Sequence, residues 1–211
     1  MAEQNGIGYL RDKLTIKKSR VQLRYKYYEM KNSFVDMGIS TPPNLKNWKS
    51  VLGWCGKAVD SLSDRLIFRE FMDDNFDLNE IFQMNNPDTL FDSAVLSALV
   101  SSCCFIYISA DEDGFPRLQV IDGGSATGII DPITGLLTEG YAVLEVDKDK
   151  KPKLEAYFVP GRTVYYRAGE KEAESIPNSA PYPLLVPIIY RPDAVRPFGH
   201  SRISRACMEI M

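Results

Sequence analysis

The sequence predicts an α+β fold, with N-terminal helices followed by a mostly antiparallel β-sheet region. Apolar residues recur at helical spacing up to about residue 100, whereas β-branched and aromatic runs punctuated by Gly, Pro, Asn and Asp fill the stretch after Ser102. The two patterns are segregated and do not alternate, which argues against a parallel α/β sheet. At 211 residues the chain can bury the core of one sizeable domain, or of a domain with an appendage.

Residues 7–37 read as a long helix with Ile7, Leu10, Leu14, Val21, Tyr25 and Tyr28 along one stripe, interrupted by Lys17 and Arg24. Gly38 and the pair Pro42-Pro43 cannot continue it. Asn44 then caps a second helix reaching Leu66, whose apolar residues recur in steps of three and four. Trp48, Leu52, Cys55, Val59 and Leu62 on that stripe are the expected core, forming the seam between helices and sheet. "IFREF" (67–71) reads as a short strand and Asp77 starts a short helix. Asn86-Pro87 opens a third helix running to Ser102, apolar nearly all round and therefore buried.

Strands follow. "CCFIYISA" and "PRLQVID" flank a Glu-Asp-Gly hairpin signal, "ATGIID" and "LLTEGYAVLEVD" flank the turn from Asp131 to Gly135, and "KLEAYFV" and "TVYYRAG" break at Pro160-Gly161. The proline-rich "PNSAPYPLLVPIIYRP" leads into one more strand. After Gly199, Ser201 caps a terminal helix with Ile203, Ala206, Cys207, Ile210 and Met211 on one face. No stop signal follows, so the sequence reads as a piece of something longer. The expected division is a basic helical arm over 1–38, an α+β domain over 39–198, and the start of a helix over 199–211.

Composition excludes several classes. The net charge is −3, there is no run of about eighteen apolar residues, and "MAEQNGIGYLRDK" has no apolar signal-peptide core. The four cysteines fall at no metal-ligand spacing and read as reduced, buried thiols. "DDNFD" sets Asp73, Asn75 and Asp77 at the first, third and fifth positions of a calcium loop, but Leu78 replaces the required Gly and Met84 the bidentate Glu, leaving a solvated acidic turn. "GGSATG" lies between strands and lacks a phosphate-binding helix N-terminus and a Lys, so it reads as a turn. "GHSRI" has Ile203 in place of the second glycine of a nucleophile elbow, and the single histidine, His200, stands beside Ser201 in sequence. No catalytic constellation, metal or cofactor is expected.

The charges themselves are asymmetric. The stretch from Arg11 to Lys31 is strongly basic, and that from Glu70 to Asp92 is acidic without a Lys or Arg. Opposite fields on one chain suggest self-association, with Arg11, Lys17, Arg20 and Arg24 on one side of a contact and Glu70, Asp73, Asp74, Asp77 and Glu80 on the other. The alternative is a nucleic-acid-binding module, its basic helix meeting phosphates and its tyrosines meeting bases.

Taken in order, "RYKYYEM", "VLGWCGKAVDSLSDRLIFREF", "FDSAVLSAL" running into "CCFIYISA", "IIDPITGLL" and "LLVPIIYRPD…RPFGHSRIS" resemble the N-terminal part of siphophage-type portal proteins of tailed bacteriophages. The resemblance implies a wing-like α+β region of a structural subunit, several of which form a dodecamer-type ring around a DNA channel at one capsid vertex. It implies roles in head assembly, DNA packaging and head-tail connection, and a place in the virion after assembly in the host cytoplasm. The implied partners are further copies, a terminase motor, scaffold and capsid proteins, head-tail connectors and double-stranded DNA passing through, with no membrane. The helix begun at Ser201 would lead into the stem, and the segments that contact DNA would lie beyond Met211. One departure stands out: family members tend to have a glycine between the buried helix and the next strand, where this chain has Ser101-Ser102.

Overall fold

The computed structural model describes residues 5–32, 53–72, 75–170 and 172–209. Helices come first: α1 (Gly6–Tyr28), α2 (Trp54–Ser63), α3 (Leu78–Gln83) and α4 (Pro87–Ser101). Strands β1 (Cys103–Ala110), β2 (Pro116–Asp122), β3 (Ala126–Ile130), β4 (Leu137–Val146), β5 (Pro152–Val159), β6 (Arg162–Arg167), β7 (Glu174–Pro177) and β8 (Leu185–Ile189) follow, and then a short α5 (Arg205–Glu209). The α+β order is as the sequence implies. The strands, however, form two antiparallel sheets, β2-β1-β8 and β3-β4-β5-β6-β7.

Strand β1 is the hinge of this architecture because its side chains alternate between two environments. Cys103, Phe105 and Tyr107 enter a core between the sheets, with Ile121, Leu137, Phe158 and Leu185. Cys104 points the other way, against Ala94 and Ala98 of α4. Helix α4 thus lies on the three-stranded sheet, and α2 and α5 pack on its far side through Cys55, Val59, Leu99, Val100 and Ile203. Helix α1 bridges both regions. Leu10 and Leu14 meet Tyr141 of the five-stranded sheet, while Tyr25 and Tyr28 join the helical cluster.

The last turn of α4 is buried, and its carbonyls have no partners within the helix. Distant segments supply them. Arg202 N–H donates to Leu99 O (2.8 Å), Ser201 Oγ to Val100 O (2.6 Å), and the Arg24 guanidinium to Ser101 O (2.8 Å). Tyr190 N–H reaches Ser102 O (2.9 Å). Ser102 itself has φ +86°, a conformation that favours glycine, so the chain meets here the backbone demand that a glycine would meet without strain. Gly199 has a similar reason to be glycine: φ is +71°, and a Cβ there would lie 2.2 Å from Tyr190 O.

Several sequence expectations are corrected. Helix α1 stops at Tyr28, short of residue 37, through a Schellman motif in which Met30 takes the left-handed position (φ 56°) and Lys31 N–H reaches back to Lys26 O (2.8 Å). A methionine in the usual glycine position gave no stop signal. Helix α2 is described from Trp54, and Trp48 and Leu52 of the expected core lie outside the described residues. Cys55 and Val59 are buried, Leu62 is half-buried and Leu66 is exposed past the helix end. The α2 stripe seals helix against helix, so the seam to the sheet belongs to α4 instead.

"IFREF" forms no strand. Phe71 N–H donates to Asn79 Oδ1 (2.8 Å) and Asn79 Nδ2 to Phe71 O (2.9 Å), a side-chain amide taking the place of a neighbouring strand. Phe68 packs on Phe82 and Phe91 with ring centroids 4.8 and 4.1 Å away. Strand β7, exposed at all four residues and lacking alternation, had no sequence signal. The cap of α5 is Ser204, whose Oγ accepts from Cys207 N–H (3.3 Å), while Ser201 is spent on α4.

Because Leu99 is 1% exposed in the cluster joining α2, α4 and α5, Leu99→Ala should destabilise the protein by about 2–5 kcal/mol in denaturant titration. Leu66→Ala, at 46% exposure, should stay within about 0.5 kcal/mol. Equal losses at the two sites would show that the helical stripe is packed differently.

Candidate subunit-contact surfaces

The basic side chains of α1 divide between its inner and outer faces. Positions 7, 10, 14, 17, 21, 24 and 28 fall on one helical line, so Lys17 and Arg24 face inward with Leu10, Leu14 and Val21. Lys17 Nζ donates to Cys103 Sγ (3.0 Å) and Ala126 O (3.3 Å), and sits 5.1 Å from the Phe105 ring centroid. Lys13 Nζ donates to Gly128 O (2.8 Å) and lies 4.9 Å from the Phe198 ring. Burial, and then the neighbouring Lys17 charge, pull the Lys13 pKa below its ordinary value. Arg24, pulled down by burial in the same way, remains a cation because a guanidinium starts so high. Arg11 is half exposed and pairs with Glu155, which also accepts from the Tyr141 hydroxyl.

Of the four cations expected at a contact, Arg11, Lys17 and Arg24 are therefore engaged within the chain, and Arg20 is exposed on the outer face. The tyrosines are engaged as well. Tyr25 OH donates to Ser97 Oγ (3.2 Å) and Asp122 Oδ1 (3.1 Å), and burial next to Asp122 pushes its pKa up. Tyr28 OH donates to Asp60 Oδ1 (2.9 Å); burial and then that carboxylate raise its pKa to about 12.

On the acidic side, Glu70, Asp77 and Glu80 are exposed, and Asp73 and Asp74 lie outside the described residues. Asp77 adopts the left-handed conformation (φ 56°) as the residue preceding α3. The structure brings together a different set. Asp60 and Asp64 from α2 and its C-cap and Asp88 and Asp92 from α4 line an open groove of about 590 Å³ with Tyr28, Leu66, Ile67 and Leu96, and among the described residues no Lys or Arg lines it. Sequence reasoning noted Asp88 and Asp92 but overlooked Asp60 and Asp64. A signal was present: both pairs stand four residues apart, on one face of their helices.

The residues around His200 do not assemble a nucleophile. His200 Nε2 lies 2.5 Å from Asp193 Oδ2 and its Nδ1 3.2 Å from the Arg196 guanidinium, closing a loop whose backbone N–H groups at Val195 and Arg196 also donate to Asp193. Ser201 Oγ is turned onto Val100 O. Among the described residues no three His, Cys, Asp or Glu side chains are grouped to hold a metal ion, and Cys55, Cys103, Cys104 and Cys207 are free thiols.

The inward cations make a simple prediction. Arg24→Leu leaves Ser101 O without its donor and should cost about 1–3 kcal/mol in a denaturant titration. Arg20→Leu, on the outer face, should change stability by no more than about 0.5 kcal/mol. The reverse order would mean that α1 is rotated about its axis.

A family model described as phage portal protein, SPP1 Gp6-like, matches residues 7–192. No curated protein matches the chain.

Proposed function

The chain belongs to the phage portal family of the SPP1 Gp6-like type, and from that premise we propose that it supplies the wing-like part of a subunit of the ring through which DNA enters and leaves the capsid at one vertex. The family is structural, and its place is the virion capsid. The family match over residues 7–192 is the observation that carries the reading. In it, 39–198 act as the wing-like unit, 1–38 as an arm laid along it, and 199 onward as the approach to the stem. The ring nucleates head assembly, docks a terminase motor that drives double-stranded DNA through the channel, and later bears the head-tail connector. Scaffold and capsid proteins surround it.

The architecture supports a mechanical part. A ring subunit under packaging load must transmit force without internal slippage. Here two sheets share the core under β1, α1 spans from one sheet to the helical layer, and four sequence-distant groups hold the end of α4. The nucleic-acid-module alternative is not favoured: Lys13, Lys17 and Arg24 point into the fold and Tyr25 and Tyr28 are bonded to carboxylates, which takes these side chains away from phosphates and bases. No helix among the described residues is long and apolar enough to cross a membrane.

Electron microscopy of the purified protein tests the proposal. Closed rings pierced by a central channel are the expected result; a population of monomers or two-fold dimers alone would overturn it.

A further inference from the structure

Helix α1 carries a second stripe, on the side away from Leu10, Leu14 and Val21. Tyr9, Ile16 and Leu23 follow at seven-residue intervals and are 36%, 65% and 48% exposed, and Met30, 54% exposed, lies just past the helix end. Isolated exposed apolar residues are ordinary, but three along one line of a helix, with a fourth just past its end, form an apolar ridge. Exposed Arg20 lies between Ile16 and Leu23 on the same face, with Lys26 at its edge, and these two cations outnumber the one acid there, Asp12, a turn before Ile16. The outer face of α1 is therefore both apolar and cationic.

The α2–α4 groove has the complementary character. Leu66 and Ile67, 46% and 73% exposed, lie at its lip, with Leu96 along the α4 wall, among the carboxylates of Asp60, Asp64, Asp88 and Asp92. Asp60 accepts from the Tyr28 hydroxyl and Asp88 lies in the first turn of α4, but the groove also carries unfavourable charge. Asp64 sits at the C-terminal end of α2, where the helix dipole disfavours an anion, and Asp88 and Asp92 are like charges one turn apart. A cationic, apolar ridge laid into the groove would relieve both penalties and cover Leu66 and Ile67.

We propose that the outer face of α1 of one copy seats in the α2–α4 groove of the next copy. This is helix-in-groove recognition, anchored by Ile16 and Leu23 and steered by Arg20 and Lys26 toward the four aspartates. The two patches differ, so the contact is head-to-tail, the kind that closes into a ring rather than a two-fold dimer. The inference rests on the portal reading and gives that ring one of its contacts. It also replaces Arg11, Lys17 and Arg24, which the fold uses internally, with residues that are accessible.

The test uses the full chain with a benzophenone amino acid in place of Ile16, together with a ridge variant (Ile16→Ser, Leu23→Ser) and a groove variant (Asp88→Lys, Asp92→Lys). All four substituted positions are exposed, so circular dichroism should show every variant folded. Photolysis should join position 16 of one chain to residues 60–67 or 88–96 of another. In sedimentation, wild type should form species larger than dimers and each variant alone should be monomeric. An equimolar mixture of the two variants should stop at dimers, because a single intact ridge-groove pair remains. Crosslinks to residues 33–52 of the same chain or to any other surface, or a mixture that stays monomeric, would overturn the contact. Rings that form equally well from both variants would remove this contact and leave the portal reading standing; wild-type chains that neither assemble nor crosslink would remove both.

Discussion

The buried C-terminal turn of α4 is the constraint on which the rest of the fold depends. A helix that ends inside a protein presents carbonyls that neither water nor the helix can satisfy, and each orphan left behind costs on the order of 1–3 kcal/mol. This chain resolves the problem by bringing α1, the residue after β8 and the segment before α5 to one point, through Arg24, Tyr190, Ser201 and Arg202. The topology follows from those bonds. Strand β8 must return to pair with β1, and the chain after it must run across the end of α4, before α5 can start at Arg205.

The same constraint explains why a positively charged helix can lie on an apolar core. Lys17 and Arg24 occupy inward positions, yet each meets backbone carbonyls that need a donor, and Lys17 also lies near the faces of Phe105 and Phe198. Their aliphatic stems continue the apolar stripe while the Arg24 head caps α4 and the Lys17 head donates to Cys103 Sγ and Ala126 O. The two cations that look like interruptions of the helical pattern are thus part of its packing face. The internal bonding leaves Arg20 and Lys26 on the outer face of α1 exposed.

Much of the fold was legible in the sequence because it rests on local chemistry. The strand hairpins are marked by Gly, Pro and Asp at their turns, and Asn86-Pro87 marks the start of α4. The misses share a physical origin in long-range satisfaction of polar groups. Asn79 holding the backbone of Phe71, Met30 closing α1 in a left-handed conformation, and Ser201 bonding to α4 rather than capping α5 are all choices that a window of neighbouring residues does not reveal. The proposed contact surface was legible as charge alone. Internal bonding then engaged Arg11, Lys17 and Arg24, and helix packing set Asp60 and Asp64, from a segment whose charge had drawn no notice, beside Asp88 and Asp92.

The tie at the end of α4 couples the sheets to the segment that leads into α5, and in the proposed ring subunit it would carry load between them. Native-state amide hydrogen exchange probes that coupling most directly. If the tie is integral to the core, the amides of Ser102, Tyr190 and Arg202 exchange together with that of Phe105, at the rate set by global unfolding. Exchange of Tyr190 and Arg202 by local opening, while Phe105 stays protected, would contradict the account.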